Sequence, residues 1–148
     1  MAGRISIDAP PQDFRVRHIL GTVRSWLNQN DIEVPLLERV ELSLAEVFNN
    51  IEEHGGGPTT IKVQGHCNPL YIRIHIYDYA NEIPQQFLER TAPMPEAQGT
   101  APEGGFGWPL IHMLTDRISY ARIKDQNRLE LQFERDPEIS GLGREQMT

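Results

Sequence analysis

The sequence predicts a two-layer α/β (α+β) sandwich, a mixed but mostly antiparallel sheet with helices on one face, and three observations lead there. Two long runs with helical periodicity follow each other directly near the start. The strand-like runs then come in pairs separated by short turn segments. Helices and strands never alternate strictly, which disfavours a doubly wound parallel sheet. The chain has 148 residues, enough for one domain with a single core.

The elements follow in order. Arg4-Ile5-Ser6-Ile7 alternates as a strand does and is cut off by Pro10 and Pro11. From Asp13, a candidate N-cap, Phe14, Ile19, Leu20, Val23, Trp26 and Leu27 recur at three- and four-residue steps, one face of a helix. Asn28 to Pro35 breaks that pattern. A second helix begins near Pro35, which suits a first turn, and carries Leu36, Leu37, Val40, Leu44, Val47, Phe48 and Ile51. Gly55-Gly56-Gly57-Pro58 ends it.

Thr59 to Gly65 and Leu70 to Asp78 read as strands joined through Asn68-Pro69, with Leu70, Ile72, Ile74 and Ile76 on one face. Thr91 to Gly107 is rich in proline, glycine and alanine, a long loop of the kind used as a lid or binding loop. A short helix resumes at Trp108 with Leu110, Ile111 and Leu114. Strands follow over Arg117 to Ile123 and Arg128 to Glu134, separated by Asp125-Gln126-Asn127. A single domain over residues 1–136 is expected, with 137–148 a flexible tail.

Composition narrows the function. Fourteen Lys and Arg against 21 Asp and Glu give a net charge of −7, the wrong sign for a protein that coats nucleic-acid phosphates. One cysteine, Cys67, supports neither an internal disulfide nor a cysteine zinc site. No apolar stretch approaches a membrane span, and Met1 to Pro10 lacks the form of a secretory signal, so a cytoplasmic protein is expected. The five histidines have no metal-ligand spacing, and no Ser-His-Asp or Cys-His set stands out.

Three segments carry candidate chemistry. Glu46, Asn50 and Glu53 share one face of the second helix, away from its apolar stripe. An amphipathic helix needs a wet side anyway, but the adjacent Asn49 and Asn50 are weak helix formers at mid-helix. Gly104-Gly105-Phe106-Gly107-Trp108-Pro109 places glycines directly before a helix, where free N–H groups can face an anion. Asp78 ends the cleanest strand, either as a turn-former or as an acceptor for a ligand's exocyclic amine.

In that order and spacing, these segments resemble the N, G1 and G2 boxes of the GHKL (histidine kinase-like) ATPase superfamily. The nearest likeness is to its branch of anti-sigma factors and serine-protein kinases. Glu41 to Gly55 is similar to that branch's N box, with Glu46, Asn50 and His54 four apart; Gly104 to Ile111, followed by Asp116 and Tyr120, is similar to its G2 box. The likeness spans roughly residues 5 to 134. It implies a Bergerat-type ATP-binding fold in which Asn50 ligates Mg²⁺ and binds the nucleotide phosphates, and Asp78 accepts from the adenine amino group. Gly105 and Gly107 would let the lid wrap the phosphates, and Glu46 would be the general base toward a protein serine hydroxyl.

The implied function is that of an ATP-binding anti-sigma factor with serine/threonine-protein kinase activity toward a small antagonist (anti-anti-sigma) protein. A sigma factor would be a further partner, with no direct nucleic-acid or membrane contact, and a homodimer is compatible. The G1 box usually reads Asp-x-Gly-x-Gly, whereas Ala80 and Glu82 stand at its glycine positions. A Glu82 carboxylate facing the phosphates at about 4 Å would cost a few kcal/mol, one facing solvent little. A non-catalytic binding module of the same fold is therefore the alternative. A sensor histidine kinase domain is disfavoured by the short stretch before the second helix.

Overall fold

The computed structural model describes residues 3–89, 107–136 and 138. Its elements run β1 (Arg4–Ala9), α1 (Arg15–Gln29), α2 (Val34–His54), β2 (Ile61–Cys67), β3 (Tyr71–Asp78), α3 (Gln85–Leu88), α4 (Gly107–Leu114), β4 (Arg117–Ile123) and β5 (Gln126–Glu134). The five strands form one sheet in the order β1-β2-β3-β5-β4, antiparallel at every pairing. Period-two alternation buries one side only: Ile61, Val63, Ile72, Ile74, Ile76, Leu129, Leu131 and Phe133 face the helices. From the other layer, Ile19, Val23 and Leu27 of α1 and Val40, Leu44, Val47 and Phe48 of α2 complete the core. Each such side chain contributes about 1.5–3 kcal/mol on burial. Trp26, 4% exposed, is core as its spacing predicts, and it lies over Gly65, where an added Cβ would stand 2.8 Å from its ring.

Several expectations are corrected. The start of α1 is not capped by Asp13: Phe14 occupies the N-cap in a left-handed conformation (φ 63°) with no side-chain cap bond. Arg15 fixes this entry instead. It is 3% exposed, donates through Nη1 to Ala9 O and Thr59 O, and pairs through Nε with Glu52 at 2.7 Å. A buried guanidinium with that many acceptors settles the geometry more firmly than one cap bond. Leu70 is 52% exposed and lies outside β3, because Asn68 Oδ1 accepts from Leu70 N and Tyr71 N and turns the chain there. The turn between β4 and β5 is shorter than expected, since Gln126 and Asn127 already pair with Ile123 and Arg122. The short α3 was not legible in the sequence. Among the described residues, no helix is long and apolar enough to cross a membrane. The expected tail from Pro137 lies outside the described residues except for Glu138.

Candidate functional site

Three elements converge at one end of the sandwich. The C-terminal half of α2, the turn after β3 and the start of β5 enclose a cavity of about 380 Å³, closed on a further side by Phe87 and Trp108. Asn50 and Asp78, far apart along the chain, both line it, as do His54, Ala80, Glu82 and Asn127.

Asp78 continues the inward phase of Ile72, Ile74 and Ile76, so β3 carries a carboxylate into the interior, where it is 3% exposed. Asn127 Nδ2 donates to its Oδ1 at 2.8 Å, and Ala80 N donates to the same oxygen at 2.9 Å. Among the described residues both bonds fall on Oδ1, leaving Oδ2 to accept from a ligand. Burial pushes the Asp78 carboxyl above the ordinary aspartate range. The Asn127 and Ala80 hydrogen bonds and the charges of Arg122 and Arg15 pull the other way without cancelling it.

Asn127 is the hub that the sequence reading passed over as a turn residue. It is 1% exposed, also donates to Ala80 O and Asn81 O, and its Oδ1 accepts from Tyr120 Oη and from Arg122 Nη1. Arg122 Nη1 donates to Ala80 O at 2.7 Å as well. The signal was present: Asn127 is in phase with Leu129, Leu131 and Phe133, so it faces inward. Thr59 is a second omission; its Oγ1 accepts from Tyr79 N at 2.8 Å beside the Asp78 turn.

Ala80 carries no left-handed strain, because Phe14, Asp31 and Lys124 are the positive-φ non-glycine residues among those described. Its methyl sits against Gly55, where an added Cβ would lie 2.8 Å away, and Asn81 N donates to Gly55 O at 2.8 Å. The turn is thereby tied to the end of α2. Glu82 is exposed and stands in the cavity wall.

The other end of the site lies earlier along α2. Glu46 and Asn50 are half-buried beneath the first residue of α4. A Cβ on Gly107 would stand 3.0 Å from Glu46 Oε2 and 3.3 Å from both Asn50 amide atoms, so glycine is what lets the backbone approach them. Asn50 Nδ2 is buried with no hydrogen-bond partner among the described residues. An orphaned buried amide is costly, and half a turn about its last torsion presents Oδ1 at the same place. That suits an incoming oxygen-liganded group such as a magnesium phosphate. Glu53, expected on this face, is 69% exposed and lies 3.6 Å from His54. Gly105 and the rest of the expected lid before Gly107 lie outside the described residues. Among the described residues, no group of three or more His, Cys, Asp and Glu is arranged to hold a metal by itself.

Two bonds fix α4. Arg39 of α2 donates through Nε and Nη2 to Leu114 O, at 3.1 and 2.9 Å, and His112 Nε2 donates to Phe87 O at 2.9 Å. No curated protein matches the chain. The family model for the histidine kinase-like ATPase domain matches residues 9–133, and the chain belongs to that family.

Proposed function

We propose that this histidine kinase-like ATPase domain binds ATP with Mg²⁺ and acts as an anti-sigma factor that phosphorylates a serine or threonine of a small antagonist protein. The observation that carries the reading is the shared cavity: Asp78 and Asn50 line it together, and the Asn50 amide is buried and unsatisfied. From Glu46 to Gly55 the helix rises about 14 Å. The base would lie at the Asp78 and Gly55 end and the phosphates at the Asn50 and Gly107 end.

Asp78 Oδ2 accepts from the exocyclic amine of the base, and the bonds on Oδ1 hold the carboxylate in orientation. Asn50 Oδ1 would hold Mg²⁺ together with phosphate oxygens and waters. ATP supplies the phosphoryl group, and Mg²⁺ neutralises its charge. Glu46, one turn before Asn50, takes the proton of the attacking hydroxyl. Gly107 brings the N-terminal N–H groups of α4 close to the same place.

Glu82 in the cavity wall favours a second reading, a binding module of the same fold with weakened nucleotide affinity. Calorimetric titration with ATP and Mg²⁺ separates the two. Micromolar binding supports the first, and no heat at millimolar nucleotide overturns it.

A further inference from the structure

Among the described residues nothing covers the side of the sheet opposite the helices, and its charge differs in sign from the chain as a whole. The outward residues on it include Arg4, Lys62, Arg73, Arg117 and Arg128 against Asp8, Glu130 and Glu134. The whole chain carries 14 Lys and Arg against 21 Asp and Glu. The register aligns part of this charge. Arg4 pairs with His66, His66 with Arg73, Arg73 with Gln132, and Gln132 with Arg117. Directly paired residues share a face, so these five form one row across all five strands, without a carboxylate. The β1–β3 end of the row borders a shallow concavity of about 780 Å³, lined also by Ser6, Gln64 and His75.

Strands lie about 4.8 Å apart, so the three arginines, each two strands from the next, repeat at about 10 Å. A helix returns to one face every seven residues, a rise of about 10.5 Å. Arg73 is held in place for such a contact. Its Nε and Nη2 donate to Gln132 Oε1, and its guanidinium lies 4.4 Å over the Tyr71 ring. Glu130, the nearest carboxylate, is already engaged by His75 Nε2 at 2.8 Å and lies 3.7 Å from Arg73 Nε.

We propose that this row docks an acidic amphipathic helix of a partner protein, its carboxylates repeating every seven residues and lying along Arg4, Arg73 and Arg117. A protein helix fits better than a nucleic-acid strand. A phosphate chain laid over this face meets Asp8, Glu130 and Glu134 and is repelled at range by the net charge of −7. The docking is independent of the nucleotide cavity, which lies at the helix-layer side.

The test uses the full chain and a labelled 15-residue alanine-based helical peptide with glutamate at its positions 1, 4, 8, 11 and 15, about 1.5 Å of rise per residue. Fluorescence anisotropy is expected to show binding that Arg4→Glu with Arg117→Glu weakens at least tenfold. ATP affinity and melting temperature should stay unchanged, because both side chains are exposed. Arg4→Ala alone should give a smaller loss of the same sign. The proposal is overturned by no binding at about 1 mM peptide, or by equal affinity for a peptide with the same glutamates scrambled. It is equally overturned by undiminished binding in the double variant or by tighter binding of oligothymidylate. Sedimentation showing a wild-type dimer that the double variant dissolves overturns it too, since a second copy would then own the face.

Discussion

The two ends of the cavity are built differently. At the Asp78 end a network is already in place: Asn127 and Ala80 hold Oδ1 of a carboxylate that is 3% exposed, and Tyr120 and Arg122 hold Asn127. At the Asn50 end the amide nitrogen has no partner among the described residues, and Gly107 stands bare against Glu46 and Asn50. The first end is oriented by the protein's own bonds, with Asp78 Oδ2 left over; the second holds a buried amide nitrogen without a partner among the described residues. The contrast teaches that the carboxylate end is held by the folded sheet itself, whereas the amide end keeps a polar group that only a further group would satisfy. Breaking the Asn127 network at the first end should therefore cost stability, whereas substitutions at the second should leave stability nearly unchanged.

The sharpest check on that division is Glu46→Gln. It should lower phosphoryl transfer by about 10²- to 10⁴-fold while nucleotide affinity and melting temperature hold, measured with labelled ATP and the cognate antagonist. Equal transfer would take Glu46 out of the chemistry. Next in size, Asn50→Ala should remove the Mg²⁺-dependent part of nucleotide affinity in calorimetry. Its cost in unfolding free energy should be under about 0.5 kcal/mol, because Nδ2 has no bond to lose. A large loss of stability would break the contrast from the functional side.

Asn127→Ala should do the reverse and destabilise the fold by about 2–4 kcal/mol in urea titration. It strands the Tyr120 hydroxyl and the Arg122 guanidinium and removes one of the bonds on Asp78. A change near zero would mean that the network is ornamental.

The smallest effect is on pH. Because burial raises the Asp78 carboxyl, the folded chain holds that proton more tightly than the unfolded chain. Between the ordinary aspartate value and the raised one, stability therefore falls as pH rises, and the penalty is complete above the raised value. Asp78→Asn keeps an oxygen for Asn127 and Ala80, so it should match or exceed the wild type in melting temperature at neutral pH. That advantage should vanish in acid, where both side chains are neutral, while adenine recognition is lost at every pH.

Much of this was legible in the sequence. The strands and the long helices follow from periodicity, and the meeting of Asn50 with Asp78 was implied by the resemblance of the three segments to the GHKL boxes. What escaped did so for physical reasons. Asn127 looks like a turn residue because polar type and turn propensity coincide, and only its phase with Leu129 and Leu131 reveals an inward side chain. Arg15 was unreadable because its partners, Ala9 O, Thr59 O and Glu52, are brought to it by tertiary packing alone. The short α3 owes its place to packing and to the bond from His112, since four residues nucleate no helix by themselves.

The bond from His112 to Phe87 has one more consequence. It fastens α3 to α4, and Phe87 of the one and Trp108 of the other both stand in the cavity wall. The imidazole thus works as a clasp on that side of the cavity, and a variant lacking it should change the shape of the wall before it disturbs the sheet.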